Sequence, residues 1–206
     1  MLVIWGRANS VNVQKVLWCC DEMAVAYERI DAGGAHGVVN TPEYRKMNPN
    51  GLIPTIVDDG FVLWESNAIV RYLAAKHGAA GLWPPDARKC ADADRWMDWT
   101  LSTFWPLMRP LFLGLVRTPP EQRNANAIEE MRLKVAETLV LVDAHLATHA
   151  FLAGDAFTMG DIPLGCAIWR WFALAIDRPR MPNLERWFEI LGQRSAYRNV
   201  VMHPLS

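Results

Sequence analysis

Three short stretches place polar side chains where chemistry is easily arranged. In GRANSVN, Asn9, Ser10 and Asn12 stand at the head of an amphipathic run. Hydroxyls and amides at a helix start lie beside unpaired backbone N–H groups and the positive end of the helix dipole, a setting that favours an anion. In WESNAI, Glu65 and Ser66 open another helix. That start is a natural carboxylate site. The plainer alternative is that Ser66 caps the helix and Glu65 complements its dipole. In NPNGLIPTIVDDG, Pro54 directly precedes the strand-like Thr55-Ile56-Val57. A proline cannot donate to a sheet ladder, so it marks an edge or a strand start.

Other candidates carry less chemistry. His145 and His149 are four residues apart, a spacing that can bind a metal, but no carboxylate or third ligand has matching spacing. Both sit near a helix C-terminus, where partial positive charge is favoured. The four cysteines, Cys19, Cys20, Cys90 and Cys166, form no CxxC and read as reduced thiols of a cytoplasmic protein. No metal site is expected. Phe104, Trp105, Met108, Arg109 and Phe112 include an i, i+3, i+4, i+7 stripe, which on a helix is either core or the wall of a pocket. An arginine inside such a stripe would meet an acidic or electron-rich partner. Ten tryptophans fit either helix packing or a pocket for flat apolar ligands; Trp169 is a further pocket candidate.

The elements that must position these residues are legible. Of the 206 residues 51% are hydrophobic, and the formal net charge is −1. A core is expected, and no basic run suggests a nucleic-acid surface. MLVIWGRANS lacks the build of a signal peptide, and no apolar run is long enough for a membrane span. LVIW reads as a buried strand, Val13, Val16, Leu17 and Cys20 as a helix face, and Tyr27 to Ile30 as a second strand, paired parallel to the first. After a Gly-rich loop, Thr41-Pro42 starts a short helix. TIVDDGFVLW is a hairpin, and the helix from Glu65-Ser66 ends near Lys76-His77-Gly78. GAAGLWPPDAR reads as a linker. Beyond it no strand is expected. Ala87–Leu113 is helical, with a kink or break at Pro106 or Pro110; Pro119-Pro120 starts a helix running to about His149; Thr158 and Asp161 open another in a near capping box; a last helical region follows Pro182-Asn183.

An α/β unit with a proline before its third strand, followed by an all-helical half, resembles the cytosolic glutathione S-transferase superfamily. NPNGLIPT and WESNAI, about ten residues apart, anchor the resemblance over essentially the whole chain. SVNVQKVLW looks like its serine-type (theta, phi and beta-like bacterial) members. The implied fold class is an α/β thioredoxin-like N-terminal domain, residues 1–78, a linker, 79–86, and an all-α helical bundle, 87–206. The implied Ile53–Pro54 bond is cis, leaving the Ile53 N–H and C=O free to pair with an extended peptide. The resemblance makes that peptide glutathione. Ser66 then binds the γ-glutamyl carboxylate and Glu65 the α-amino group.

In the same comparison Ser10 stabilises the glutathione thiolate by donating to sulfur, since the thiolate is the nucleophile. Asn12 competes for that role, and Asn9 more weakly. Related members place a lysine or polar contact to the glycyl carboxylate near Asn40; this chain has no lysine there, and His36 is the other candidate. Trp105, Met108, Arg109 and Phe112 would line the pocket of a hydrophobic electrophile. The implied function is glutathione conjugation by a cytoplasmic homodimer, with no cofactor beyond glutathione as substrate, no nucleic acid and no membrane. Glutathione-dependent disulfide or peroxide reduction, isomerisation, and a non-catalytic glutathione-binding or interaction role are the alternatives on the same fold.

Overall fold

The computed structural model describes residues 1–78 and 81–206; Ala79 and Ala80 of the expected linker lie outside the described residues. Its first half runs β1 (Leu2–Trp5), α1 (Val11–Glu22), β2 (Tyr27–Ile30), α2 (Pro42–Met47), β3 (Thr55–Asp58), β4 (Phe61–Trp64) and α3 (Ser66–His77). The sheet order is β2-β1-β3-β4, with β1 parallel to β2 and antiparallel to β3, and β3 antiparallel to β4. Pro54 therefore stands before a central strand, and the edge reading is excluded. Ile4 and Ile56 are register partners and fully buried. Their neighbours Trp5 and Thr55 turn to the other face, as strand alternation requires. There Trp5 meets the ring of Tyr44 on α2 at 6.0 Å. The β3–β4 turn places Asp59 and Gly60 at φ 48° and 89°, the two left-handed residues of a tight hairpin.

The second half is helical: α4 (Ala87–Trp99), α5 (Trp105–Phe112), α6 (Ala125–Leu146), α7 (Asp161–Ala173), α8 (Pro182–Gln193) and α9 (Ser195–Val200). Two expectations need correction. Of the kink or break expected at Pro106 or Pro110, the break does not occur, and the helical path is distorted on either side instead. α4 passes into α5 through a π-helical segment, Thr100–Phe104, and a second one, Leu113–Arg117, follows α5. Widened turns of this kind absorb carbonyls that a proline leaves without an N–H partner. Pro119-Pro120 also does not start the long helix. Pro120–Gln122 is a single 3₁₀ turn, and Asn124 caps α6 by accepting from the Ala127 N–H at 3.1 Å.

The two halves meet along α1. Trp18 is fully buried, 4.7 Å from the Tyr197 ring of α9 and 5.3 Å from Phe157. Its indole N–H donates to Glu22, which also holds Arg194 at 2.6 Å. Gly165 on α7 makes this approach feasible, since a Cβ there would lie 2.6 Å from the Trp18 ring. The helix that begins at Ser10 is thus fixed by the packing of both halves.

Candidate active site

Ser10 is the N-cap of α1, in extended conformation, and its side chain makes no capping hydrogen bond. A serine here ordinarily accepts from the N–H of the second or third helical residue. Instead the side chain lines a cleft of about 280 Å³ between the start of α1 and α5. Asn12, Leu52, Trp105, Arg109 and Phe112 line it too, with Arg7, Arg117 and Arg170. Elements distant in sequence thus bring Ser10, Asn12 and most of the aromatic stripe together. Met108, expected with them, is fully buried in the core and does not line the cleft. Helical spacing put it one position around from Arg109, on the inward side. Trp169 borders a neighbouring hollow, where its indole N–H donates to the His203 carbonyl at 2.9 Å.

Ser66 is the first residue of α3, and its expected capping role is corrected. Glu65 is the N-cap residue, at φ 73°, and neither side chain caps the helix. The left-handed backbone at Glu65, unusual for a side chain of this size, leaves its carboxylate exposed. The buried Ser66 hydroxyl donates across to Asn12 Oδ1 at 3.3 Å. Beneath it lies Lys15, 5% exposed, whose ammonium donates to Ser66 Oγ at 3.4 Å and Asn67 Oδ1 at 3.2 Å. Asn67 is held in turn by the Met97 carbonyl of α4 at 3.0 Å. Burial pulls the Lys15 pKa down to about 8, with nearby Glu65 opposing and Arg170 assisting. Sequence reading missed Lys15. The available signal was its position three residues after Asn12, on the same helix face, inside an otherwise apolar run.

Between these two helix starts runs the 48–54 segment. The Ile53–Pro54 bond is cis. Asn48, almost fully buried, donates to the Leu52 carbonyl at 2.9 Å and to Thr55 Oγ1 at 3.1 Å; the Tyr44 hydroxyl donates to the same carbonyl at 2.7 Å. Leu52 is thereby fixed, while no backbone hydrogen bond engages the Ile53 N–H or C=O among the described residues. Gly33, at φ 78°, packs onto Ile53, where a Cβ would meet Ile53 Cδ1 at 2.9 Å.

The chain is similar to known proteins over its whole length. The family model described as "Glutathione S-transferase, N-terminal domain" matches residues 9–76, and "Glutathione S-transferase, C-terminal domain" matches residues 125–189. The chain is 43% identical to Glutathione S-transferase GstB of Escherichia coli (strain K12), over 100% of both chains. The chain belongs to the glutathione S-transferases. It is also 30% identical to Glutathione S-transferase 3 of Zea mays, over 97% of this chain and 93% of that one. Among solved structures it is similar to the theta class glutathione S-transferase of Xanthomonas axonopodis pv. citri with glutathione bound. The TM-score there is 0.96 and the identity 50%, over 100% and 99% of the two chains. The fold class of the glutathione S-transferases, a small mixed sheet with helices followed by a helical domain, is the one observed.

Relative to that glutathione S-transferase frame, other candidates stand apart. Asn40 is exposed ahead of α2, and its Oδ1 accepts from Arg45 at 2.9 Å. His36 lies in a 3₁₀ turn, 3.9 Å from Asp31. His145 and His149 stack at 4.2 Å; His145 Nε2 pairs with the Leu152 carbonyl and His149 Nδ1 with the His145 carbonyl. Among the described residues no group of three or more His, Cys, Asp or Glu could hold a metal. A hollow of about 400 Å³ beside His145, walled by Trp96, Trp99 and Leu141, contains none of the predicted glutathione-site residues. The four cysteines are unpaired thiols, and burial pushes Cys166 up to about 12. No helix among the described residues is long and apolar enough to cross a membrane.

Proposed function

We propose that this glutathione S-transferase conjugates the glutathione thiolate to small electrophiles in the cleft between α1 and α5. Glutathione lies extended along Ile53, strand to strand with its free backbone groups. Its γ-glutamyl carboxylate sits at the start of α3, on Ser66, and its α-amino group faces Glu65. Lys15, below Ser66, supplies a buried positive charge beside that carboxylate and holds Ser66 and Asn67 in place. The thiol then reaches the head of α1, where the Ser10 hydroxyl donates to sulfur and the helix dipole favours the thiolate. A free thiol of ordinary pKa is only a few per cent ionised at neutral pH, so stabilising the thiolate is the main catalytic task, with proximity supplying the rest.

One observation carries this reading: the Ser10 hydroxyl, at a helix start, is not spent on capping and lines the cleft. Asn12 is the second candidate. Its Oδ1 is taken by Ser66, and its amide lines the cleft. The test is the ultraviolet absorbance of bound glutathione as pH rises, for wild type, Ser10→Ala and Asn12→Ala. Ionisation well below the free pKa, lost in Ser10→Ala, supports the assignment. If Asn12→Ala abolishes it instead, the role passes to Asn12.

The same reading takes 1–78 as the glutathione-binding domain and 87–206 as the domain lining the electrophile side, in a cytoplasmic homodimer. The apolar side chains exposed on β4, Phe61, Val62 and Trp64, are the surface such a dimer would cover.

A further inference from the structure

The electrophile side of the cleft is walled by arginine and by no carboxylate side chain. Arg7, Arg109, Arg117 and Arg170 all line it, and Asp and Glu are absent from its lining. The chain as a whole is balanced, with 21 Lys and Arg against 22 Asp and Glu. Elsewhere some arginines pair with acids, such as Arg71 with Asp94 and Asp98, Arg132 with Glu129 and Arg194 with Glu22, while others, such as Arg45, Arg123 and Arg178, donate to neutral oxygens. Among the described residues none of the four cleft arginines joins an ion pair with an acidic side chain.

Arg170 and Arg7 have neutral partners, whereas Arg117 meets the main-chain oxygen of the last residue, Ser206. Arg170, 4% exposed, donates to the Cys166 carbonyl at 2.8 Å and to Gln14 Oε1 at 3.0 Å. Arg7 donates to Asn9 Oδ1 at 2.5 Å, and Arg117 to the main-chain carboxylate oxygen of Ser206 at 2.6 Å, which leaves Arg7, Arg109 and the buried Arg170 as the cleft arginines without an anionic partner among the described residues. Arg117 and Arg170 also lie near Phe112, 5.9 and 5.5 Å from its ring centre. Arg109 is exposed, and its guanidinium makes no hydrogen bond among the described residues. Like charges gathered around one hollow repel, and burial raises the cost. Arg170 shows it: burial brings its pKa down to about 10, and Arg117 and Arg7 push the same way. A guanidinium fork left unpaired on a cleft wall matches one ligand group best, an oxyanion held by two parallel N–H bonds.

We propose that the electrophile of this enzyme is anionic, an organic acid whose carboxylate is held by Arg109 and Arg7 while its reactive carbon faces Ser10. This deepens the transferase reading and rests on it. It also narrows the expectation of a hydrophobic electrophile: Trp105 and Phe112 hold the body of the molecule and the arginines its charge. The step balances simply. The thiol proton leaves to solvent, the thiolate sulfur forms a bond to the reactive carbon, and that carbon's bond to its leaving group, such as chloride, breaks.

The experiment compares 4-chloro-3,5-dinitrobenzoate with its neutral carboxamide. Each kcat/KM is divided by the rate of the same compound with free glutathione at the same pH. The expected result is a value about ten-fold higher for the carboxylate, a preference that shrinks as salt rises. Arg109→Gln should collapse the ratio of the two values to near one, while Arg109→Lys restores part of it. Equal normalised values in the wild type would overturn the proposal. So would an Arg109→Gln loss that falls equally on both compounds or on the KM for glutathione, since the arginine would then serve glutathione itself. If neither compound is turned over by protein that binds glutathione, the transferase reading fails and takes this inference with it.

Discussion

Two helix starts in this molecule use similar residue types to opposite ends. At α7, every polar group is matched. Asp161 is completely buried and accepts from the backbone N–H groups of Leu152 and Thr158, each at 3.0 Å, from the Thr158 hydroxyl at 3.4 Å, and from the Trp187 indole at 3.0 Å. Thr158 Oγ1 accepts in turn from the Gly160 N–H at 3.2 Å. At α1, Ser10 leaves its hydroxyl out of the first turn and on a cleft wall. A buried polar group that holds a fold must be satisfied internally, because each unmatched donor costs about 1–3 kcal/mol. A group that serves a ligand must keep a bond in reserve. The contrast separates a site whose polar groups are all matched from one that keeps a hydroxyl available, without reference to either sequence motif.

The strongest way to break the contrast is Asp161→Ala. It orphans donors of three residues inside the core, so a loss of about 3–5 kcal/mol of stability is expected, by analogy with breaking a buried charged network. Urea unfolding measures it. Surviving folded protein should keep its kcat. Asp161 also has a pH signature. Burial pushes its pKa up to about 6 from the ordinary 3.8, against the donors that pull it down. Between those values the folded state binds the proton more tightly than the unfolded state. This residue's contribution is therefore fully present below the lower value and falls as pH rises through the upper one. Asp161→Asn should remove that slope.

Ser10→Ala is the mirror experiment. It removes a hydroxyl with no capping bond, so unfolding should shift by less than about 0.5 kcal/mol. Losing one donor to a developing or resting anion costs roughly 10²-fold in rate. A fall of that size in kcat/KM, with an unchanged unfolding midpoint, is the expected pair of results. A large drop in stability would instead mean that Ser10 caps α1 in solution.

Lys15→Met sharpens the comparison from a third position, since Lys15 is buried like Asp161 yet lies under Ser66, at the start of α3. A smaller effect is expected, roughly ten-fold weaker binding of S-methylglutathione at pH 7, about 1.4 kcal/mol. The variant should also lose a pH dependence. With its pKa held near 8 by burial, folded Lys15 sheds its proton before unfolded Lys15 does. Its effect on stability is then a penalty below that value, which is relieved as pH rises toward the ordinary 10.5. Affinity for the ligand carboxylate should move the other way, falling above pH 8 in wild type and not in Lys15→Met.

How much of this was legible in the residues depends on the range of the interaction. The strands, α1, α2, α3, the hairpin and the order of the two halves followed from periodicity and caps, which are local. The pair NPNGLIPT and WESNAI carried the family and, by resemblance, the cis bond. Pro119-Pro120 misled because proline at a first helical position is a common signal, while the cap that starts α6 is Asn124, five residues later. Ser66 reads as a cap by type, yet its hydroxyl bonds to Asn12, 54 residues away. Lys15 was hidden because α1 is buried on nearly every side, so periodicity could not distinguish a buried cation from a solvated one. The arginine wall is assembled from the loop after β1, from α5, the π-helical segment behind it and α7. No local spacing in the sequence announces such a cluster.

The smallest expected effect falls on Asn12, which links the two helix starts. It accepts from Ser66 and lines the cleft beside Ser10. If Ser10 alone carries the thiolate, Asn12→Ala removes only the acceptor that orients Ser66. The Ser66 hydroxyl can then turn its proton toward the ligand carboxylate, its oxygen still accepting from Lys15. One neutral hydrogen bond is worth about 1 kcal/mol net, so the KM for glutathione should rise roughly five-fold while kcat and the pH of thiolate ionisation stay in place. Stopped-flow turnover with saturating electrophile separates the two constants. A five-fold fall in kcat with KM unchanged would place the amide on sulfur in the transition state, and the line between the two helix starts would then run through Asn12 as well as Ser10.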